Sequence, residues 1–224
     1  MIPASRSVTL ARTVVLAALA VAPTGCQLVG VAAENYKRES TRLVKAEYEG
    51  LAGKSFAVVV VADRSTQAEH PGLTDYLTGK ITERLATPTN KPTPGGYVPA
   101  ADVLKYLYDH PSWTVRSRSE LAKDLGGVER LVVVEVQEYR LHDAGNAYVW
   151  DGLAAGTVSV YDPTSNTPDF PAFEKGITVK FPDKAGNGPD QLSAAVVNTE
   201  LARRFVDRAS WLLYEHQEPY YPDY

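Results

Sequence analysis

"SFAVVVVAD", Ser55 to Asp63, sets the fold class of this chain. Phe56, Val58 and Val60 fall on one side of an extended segment, and Ala57, Val59 and Val61 on the other, because side chains alternate along a strand. A strand that is apolar on both sides must be covered on both sides, as in a helix-flanked sheet. Ser55 to Ala62 is therefore expected to be the central strand of the sheet.

The segments after it carry helical and extended patterns in alternation. "LTDYLTGKITERL" repeats Leu73, Leu77, Ile81 and Leu85 every four residues, the stripe of an amphipathic helix over 72–86. "ATPTNKPTPGGYVP" is a loop by its prolines and glycines. "AADVLKYLYDH" reads as a short helix stopped by Pro111, and "SWTVRSR" as a candidate strand. "SELAKDLGG" reads as a helix with Ser119 as N-cap and Gly126 past its end. "RLVVVEVQEYRL" starts apolar on both faces and then alternates, so one end is buried and the other wet. "HDAGNA" turns the chain, and "YVWDGLAAGTVSVYD" returns as an antiparallel partner.

Tyr148, Trp150, Gly152, Ala154, Gly156, Val158 and Val160 share one face of that partner. Its small residues predict a helix passing closely overhead. "FEKGITVKF" adds a half-buried strand, and 190–214 forms a long helix with Leu192, Val196, Leu201, Phe205, Ala209 and Leu212 as its stripe. The sum is a single α/β layered domain with a mixed sheet flanked by helices.

Gly53-Lys54-Ser55 matches the closing letters of a phosphate-binding loop. Such a loop needs a glycine five residues earlier and must run from a strand into a helix, where backbone N–H groups converge on phosphate. Here that earlier position is Tyr48, and the motif leads into the strand, so no nucleotide site is expected. Asp63 at the strand end reads as a strand-terminating residue in a polar turn. His70, His110, His142 and His216 are far apart in the sequence and read as surface residues. Glu135 and Glu138 fall on opposite faces by strict alternation, so they do not form a carboxylate pair. Neither a catalytic constellation nor a cofactor or metal set is expected, and no nucleophile elbow is present.

The N-terminus places Arg6 and Arg12 before "VVLAALAVA", Val14 to Ala22, and then "PTGC". A basic stretch, a short apolar run and small residues make a secretory signal, too short to span a bilayer. Thr24-Gly25-Cys26 resembles the end of a bacterial lipobox, with Pro23 where leucine is usual. Cys26, the single cysteine, is thus the expected lipid-attachment residue, and it excludes an internal disulfide. The expected organisation is a lipoprotein signal peptide over 1–25, Cys26 and a polar tether over 26–52, an α/β envelope domain over 53–216, and a Tyr/Pro-rich tail over 217–224.

Net charge is −4 for the whole chain; without Arg6 and Arg12 it is −6. An acidic surface disfavours nucleic acid and anionic lipid as partners. The order of elements over about 55–214 is similar to the envelope α/β domain of the curli-secretion lipoprotein, the penicillin-binding-protein activator lipoproteins and the TolB amino-terminal domain. "AEYEGLAGKSFAVVVVAD" and "ASWLLYEHQEPYYPDY" also resemble a planctomycete-type lipoprotein group. The resemblance implies an envelope assembly or scaffold role, with no active-site residue to carry over.

The expected function is that of a membrane-anchored, non-enzymatic interaction module of the cell envelope, held to a membrane on its periplasmic or outer side through its lipid, with an envelope protein as partner. The alternative is a periplasmic small-molecule binding or hydrolytic domain. A pocket with titratable groups around Asp63 would favour the alternative, and a shallow surface with an exposed apolar patch the first.

Overall fold

The computed structural model describes residues 40–87 and 89–219. Cys26, the signal segment, most of the expected tether and the last tyrosines lie outside the described residues. By chain contacts the molecule divides into two units, the larger running from Leu43 to His216. In the smaller unit, Thr41 Oγ1 donates to Gln217 Oε1 at 3.2 Å and Arg42 pairs with Glu218 at 3.5 Å. These contacts lie in a two-stranded sheet of β1 (Thr41–Val44) and β7 (His216–Pro219).

The larger unit is a mixed α/β layer structure around a five-stranded sheet. Its strands are β2 (Ser55–Ala62), β3 (Gly96–Tyr97), β4 (Arg130–Arg140), β5 (Gly152–Tyr161) and β6 (Pro171–Phe181), in the spatial order β3-β2-β4-β5-β6. β2 is parallel to β3 and β4, and β4-β5-β6 is an antiparallel meander. The helices are α1 (Arg64–Glu69), α2 (Leu73–Ala86), α3 (Ala100–Asp109), α4 (Arg118–Asp124) and α5 (Ala194–Trp211), with a 3-10 turn at Pro111–Val115.

Both sides of β2 are buried, as its sequence requires. Phe56, Val58 and Val60 join α2 and α5 in the larger core; Ala57 and Val59 join α3 and α4 in the smaller one. Each large apolar side chain so removed from water contributes about 1.5–3 kcal/mol before entropy is counted. The central strand, however, is β4: it stands third of five, and β3 is too short to carry β2 into the middle.

Gly152, Ala154 and Gly156 lie beneath α5 as expected. A Cβ at Gly152 would meet Leu201 and Val197 at 3.5 Å, and one at Gly156 would meet Phe205 Cζ at 3.1 Å. Bulky side chains, rather than helix backbone, fill the room the small residues leave. Tyr148 is outside the strand and exposed.

Several boundaries differ from the sequence expectation. The 111–115 segment is a 3-10 turn, not a strand, because Pro111 starts a turn directly behind α3. The N-cap of α4 is Ser117, not Ser119: its hydroxyl accepts from the Glu120 N–H in a reciprocal capping box. The stripe of α5 is Val197, Leu201, Phe205 and Ala209, while Val196 is 48% exposed. Finally, Leu51 is 1% exposed in the core, and the Glu47 and Tyr48 N–H groups donate to the Leu212 carbonyl. The folded unit therefore begins before residue 53, and the polar tether cannot extend to residue 52.

Candidate binding site

Along one side β2 is paired with β4 from Phe56 to Ala62; along the other, pairing with β3 stops at Phe56. The Glu129 N–H donates to the Ser55 carbonyl on the β4 side, and the Val98 N–H donates to the Phe56 carbonyl on the β3 side. Backbone direction alternates along a strand, so Val58, Val60 and Ala62 turn their N–H and C=O groups toward the β3 side, where Val58 is fully buried and only Val60 and Ala62 line the space beyond the end of β3. Gln67 Nε2 donates to the Ala62 carbonyl at 2.6 Å.

A crevice of about 920 Å³ opens there, within the size range of ligand sites in proteins. Its location has a topological cause. The chain leaving β2 enters α1 and α2, which packs on one face; the chain leaving β3 enters α3, which packs on the other. Adjacent parallel strands with oppositely directed connections leave a gap beyond their carboxyl ends.

Val60, Ala62, Leu104, Leu107 and Trp113 give the crevice apolar lining, and Tyr108, 87% exposed, stands at its mouth. Asp63, Arg64, Asp75 and Lys105 also line it, two acids and two bases. Asp63 is the N-cap of α1: its carboxylate accepts from Ser65 Oγ at 2.6 Å and from the Thr66 N–H at 2.8 Å. Those bonds hold its pKa below the ordinary value, opposite to what a general base near neutral pH requires. Lys105 is ion-paired with Asp109, which raises its pKa. Tyr106 donates to Asp124 at 2.7 Å, and Arg116 pairs with the same carboxylate, bracing α3 against α4.

The Gly53-Lys54-Ser55 motif sits at the opposite end of β2. Lys54 Nζ and the Ser55 N–H both donate to Glu129, at 2.8 and 3.1 Å. The lysine is thus directed to a carboxylate at a strand entrance.

A smaller cavity of about 400 Å³ lies between α2 and α5, lined by His70, Tyr76 and Asn198 among others. Beside it, the Tyr139 hydroxyl donates to Asn198 (2.9 Å to Oδ1), and burial raises the pKa of this phenol well above its ordinary value.

Glu135 and Glu138 share a face, contrary to strict alternation. A bulge at Gln137 shifts the register so that they oppose Thr157 and Ala155, two residues apart on β5. Glu138 pairs with Arg140 at 2.7 Å and Glu135 with Arg118 at 3.8 Å. Of the four histidines His110 is exposed as expected, His70 and His142 are half-buried, and each of the four packs on an aromatic ring. His142 stacks on Trp150, His110 on Tyr106 and His216 on Trp211, and His70 meets Tyr139 edge-on; His216 is buried. Among the described residues no group of three or more His, Cys, Asp or Glu side chains is placed to hold a metal ion, and no helix is long and apolar enough to cross a membrane.

No family model matches the chain, and no curated protein matches it. Solved structures do. The PelC dodecamer from Paraburkholderia phytofirmans aligns with TM-score 0.44 and 10% identity, over 79% of this chain and 99% of that one. Lipoprotein GNA1162 from Neisseria meningitidis aligns with TM-score 0.42 and 10% identity, over 69% and 97%. The hypothetical protein CT253 from Chlamydia trachomatis aligns with TM-score 0.41 and 16% identity, over 70% and 95%. Likeness at these scores carries no functional argument, so function is argued from the crevice and the N-terminal sequence.

The sequence points to Asp63 as the place where a pocket would matter, but not to the residues from α3 and the 3-10 turn that line it. Trp113 falls in a segment whose sequence predicts a strand but which forms a 3-10 turn, and the shortness of β3 has no signature in "GGYVP". The available signal was Tyr108, an aromatic residue in a short helix that ends at a proline.

Proposed function

We propose that this chain is a lipid-anchored cell-envelope protein that works by binding another molecule rather than by catalysis. The observation that carries the reading is the crevice at the carboxyl end of β2. It combines apolar lining and an exposed tyrosine with a rim of two acids and two bases, of which Asp63 is engaged in capping a helix. The anchor is Cys26, directly behind a signal-type apolar run, and the site of action is the periplasmic or outer side of a membrane. Envelope protein is the favoured partner, with neither nucleic acid nor nucleotide as ligand. The pocket at Asp63 also favours the binding half of the alternative reading, a small-molecule site.

The test is fractionation. The natural chain is expected in the membrane fraction and Cys26→Ser in the soluble envelope fraction. Retention of the variant in membranes would refute the anchor. Residue-specific photo-crosslinking at Tyr108 in intact cells is expected to trap a partner; a product confined to Cys26-proximal positions would refute the crevice as the binding site.

A further inference from the structure

We propose that the crevice takes a short extended segment of a partner polypeptide as an added strand on the open edge of β2, in the place β3 vacates. The inference rests on the reading of the protein as a binding module and names what that site accepts. Three observations lead to it.

The first is the edge itself. Val60 and Ala62 line the crevice, in an eight-residue strand paired on this side only at Ser55 and Phe56; the Val60 N–H and C=O and the Ala62 N–H turn toward it, while the Ala62 carbonyl accepts from Gln67. A strand edge is a row of donors and acceptors at fixed spacing, complementary to another extended backbone and to little else. A peptide rises about 3.3 Å per residue, so about three residues cover the stretch from Val60 to Ala62 that lines the crevice.

The second is charge. Two acids and two bases on the rim disfavour a polyanion or polycation and suit a segment without net charge. The third is the lining. Leu104, Leu107 and Trp113 line one side, and exposed Tyr108 stands at the mouth. They suit apolar side chains projecting from alternate positions of the incoming strand. A compact polar metabolite would leave these surfaces wet and the strand edge unread.

The experiment uses the full-length chain in detergent micelles and a library of N-acetylated, C-amidated pentapeptides of zero net charge with bulky apolar residues at alternating positions. Binding is measured by calorimetry, and the best peptide is remade with a single N-methyl group at each amide in turn. N-methylation is expected to weaken binding at least tenfold at alternate amides and to leave the intervening ones within about twofold, since only alternate N–H groups face the host strand. Trp113→Ala and Tyr108→Ala are each expected to weaken the best peptide several-fold, with thermal denaturation confirming that the variants are folded. Peptide binding that is indifferent to N-methylation overturns the added strand while leaving the binding reading intact. Absence of binding by any capped pentapeptide, with Tyr108 crosslinks still formed in cells, also overturns the added strand and points to a different ligand. Loss of those crosslinks as well overturns both readings.

Discussion

At its N-terminal end β2 is clamped: Glu129 holds Lys54 and the Ser55 amide, the Gly95 N–H donates to the Lys54 carbonyl, and the Gly53 N–H donates to the Thr93 carbonyl. At its C-terminal end the same strand enters a six-residue helix and a crevice of about 920 Å³, where Val60 and Ala62 have no strand partner on the β3 side. The clamped end carries the sequence motif that suggests a ligand site, and the open end carries none. Site character at this sheet therefore follows from topology, because connections leaving adjacent parallel strands in opposite directions create space. A glycine-lysine-serine triplet at a strand entrance creates none.

Substitutions test that difference, and backbone contacts should show it most strongly. Gly156→Leu sets the scale for an intolerable contact in this sheet: its Cβ would clash with the Glu135 carbonyl oxygen and press on Phe205. A cost of about 3 kcal/mol or more is expected by denaturant unfolding. At the clamped end, Gly95→Ala brings a Cβ against the Gly53 backbone, 2.7 Å from its carbonyl carbon, and should cost about 2 kcal/mol. A neutral result there would mean that the N-terminal end is as loose as the C-terminal one.

A smaller, pH-dependent effect belongs to Glu129, whose carboxyl is held below its ordinary pKa by the Lys54 ammonium and the Ser55 amide. The folded state binds that proton less readily than the unfolded chain. The contribution is therefore present above the ordinary carboxylate range and lost as pH falls through the lowered folded value. Thermal denaturation should show Glu129→Gln less stable than the natural chain at neutral pH, with the gap closing on acidification. The smallest effect is expected at the open end, where Tyr108→Ala should change stability by no more than about 0.5 kcal/mol.

Burial on both sides of Ser55–Ala62, the antiparallel pairing of β4 with β5, and the helix over Gly152 and Gly156 were all legible from alternation, turn residues and side-chain size; the pairing of β6 was not. What periodicity does not encode was missed. The bulge at Gln137 adds one residue and reverses the parity on which the separation of Glu135 from Glu138 depended. The expectation for Val196 failed by one helical position, since Val197 packs in the core beside it. The polar residues around Leu51 predict a spacer there, yet the chain before β2 packs on the core through Leu51 and Tyr48. The extent of the crevice beyond Asp63 is not legible for a related reason: it arises where a neighbouring strand ends early, and "GGYVP" carries no mark of that length.

Residue-by-residue amide hydrogen exchange along β2 in the free protein tests the open edge most directly. The Val59 and Val61 N–H groups face β4, whereas those of Val60 and Ala62 face the crevice. The expected result is an alternation, with Val60 and Ala62 exchanging at least tenfold faster than Val59 and Val61. Equal protection of all four would show that the edge is already occupied and would contradict the account.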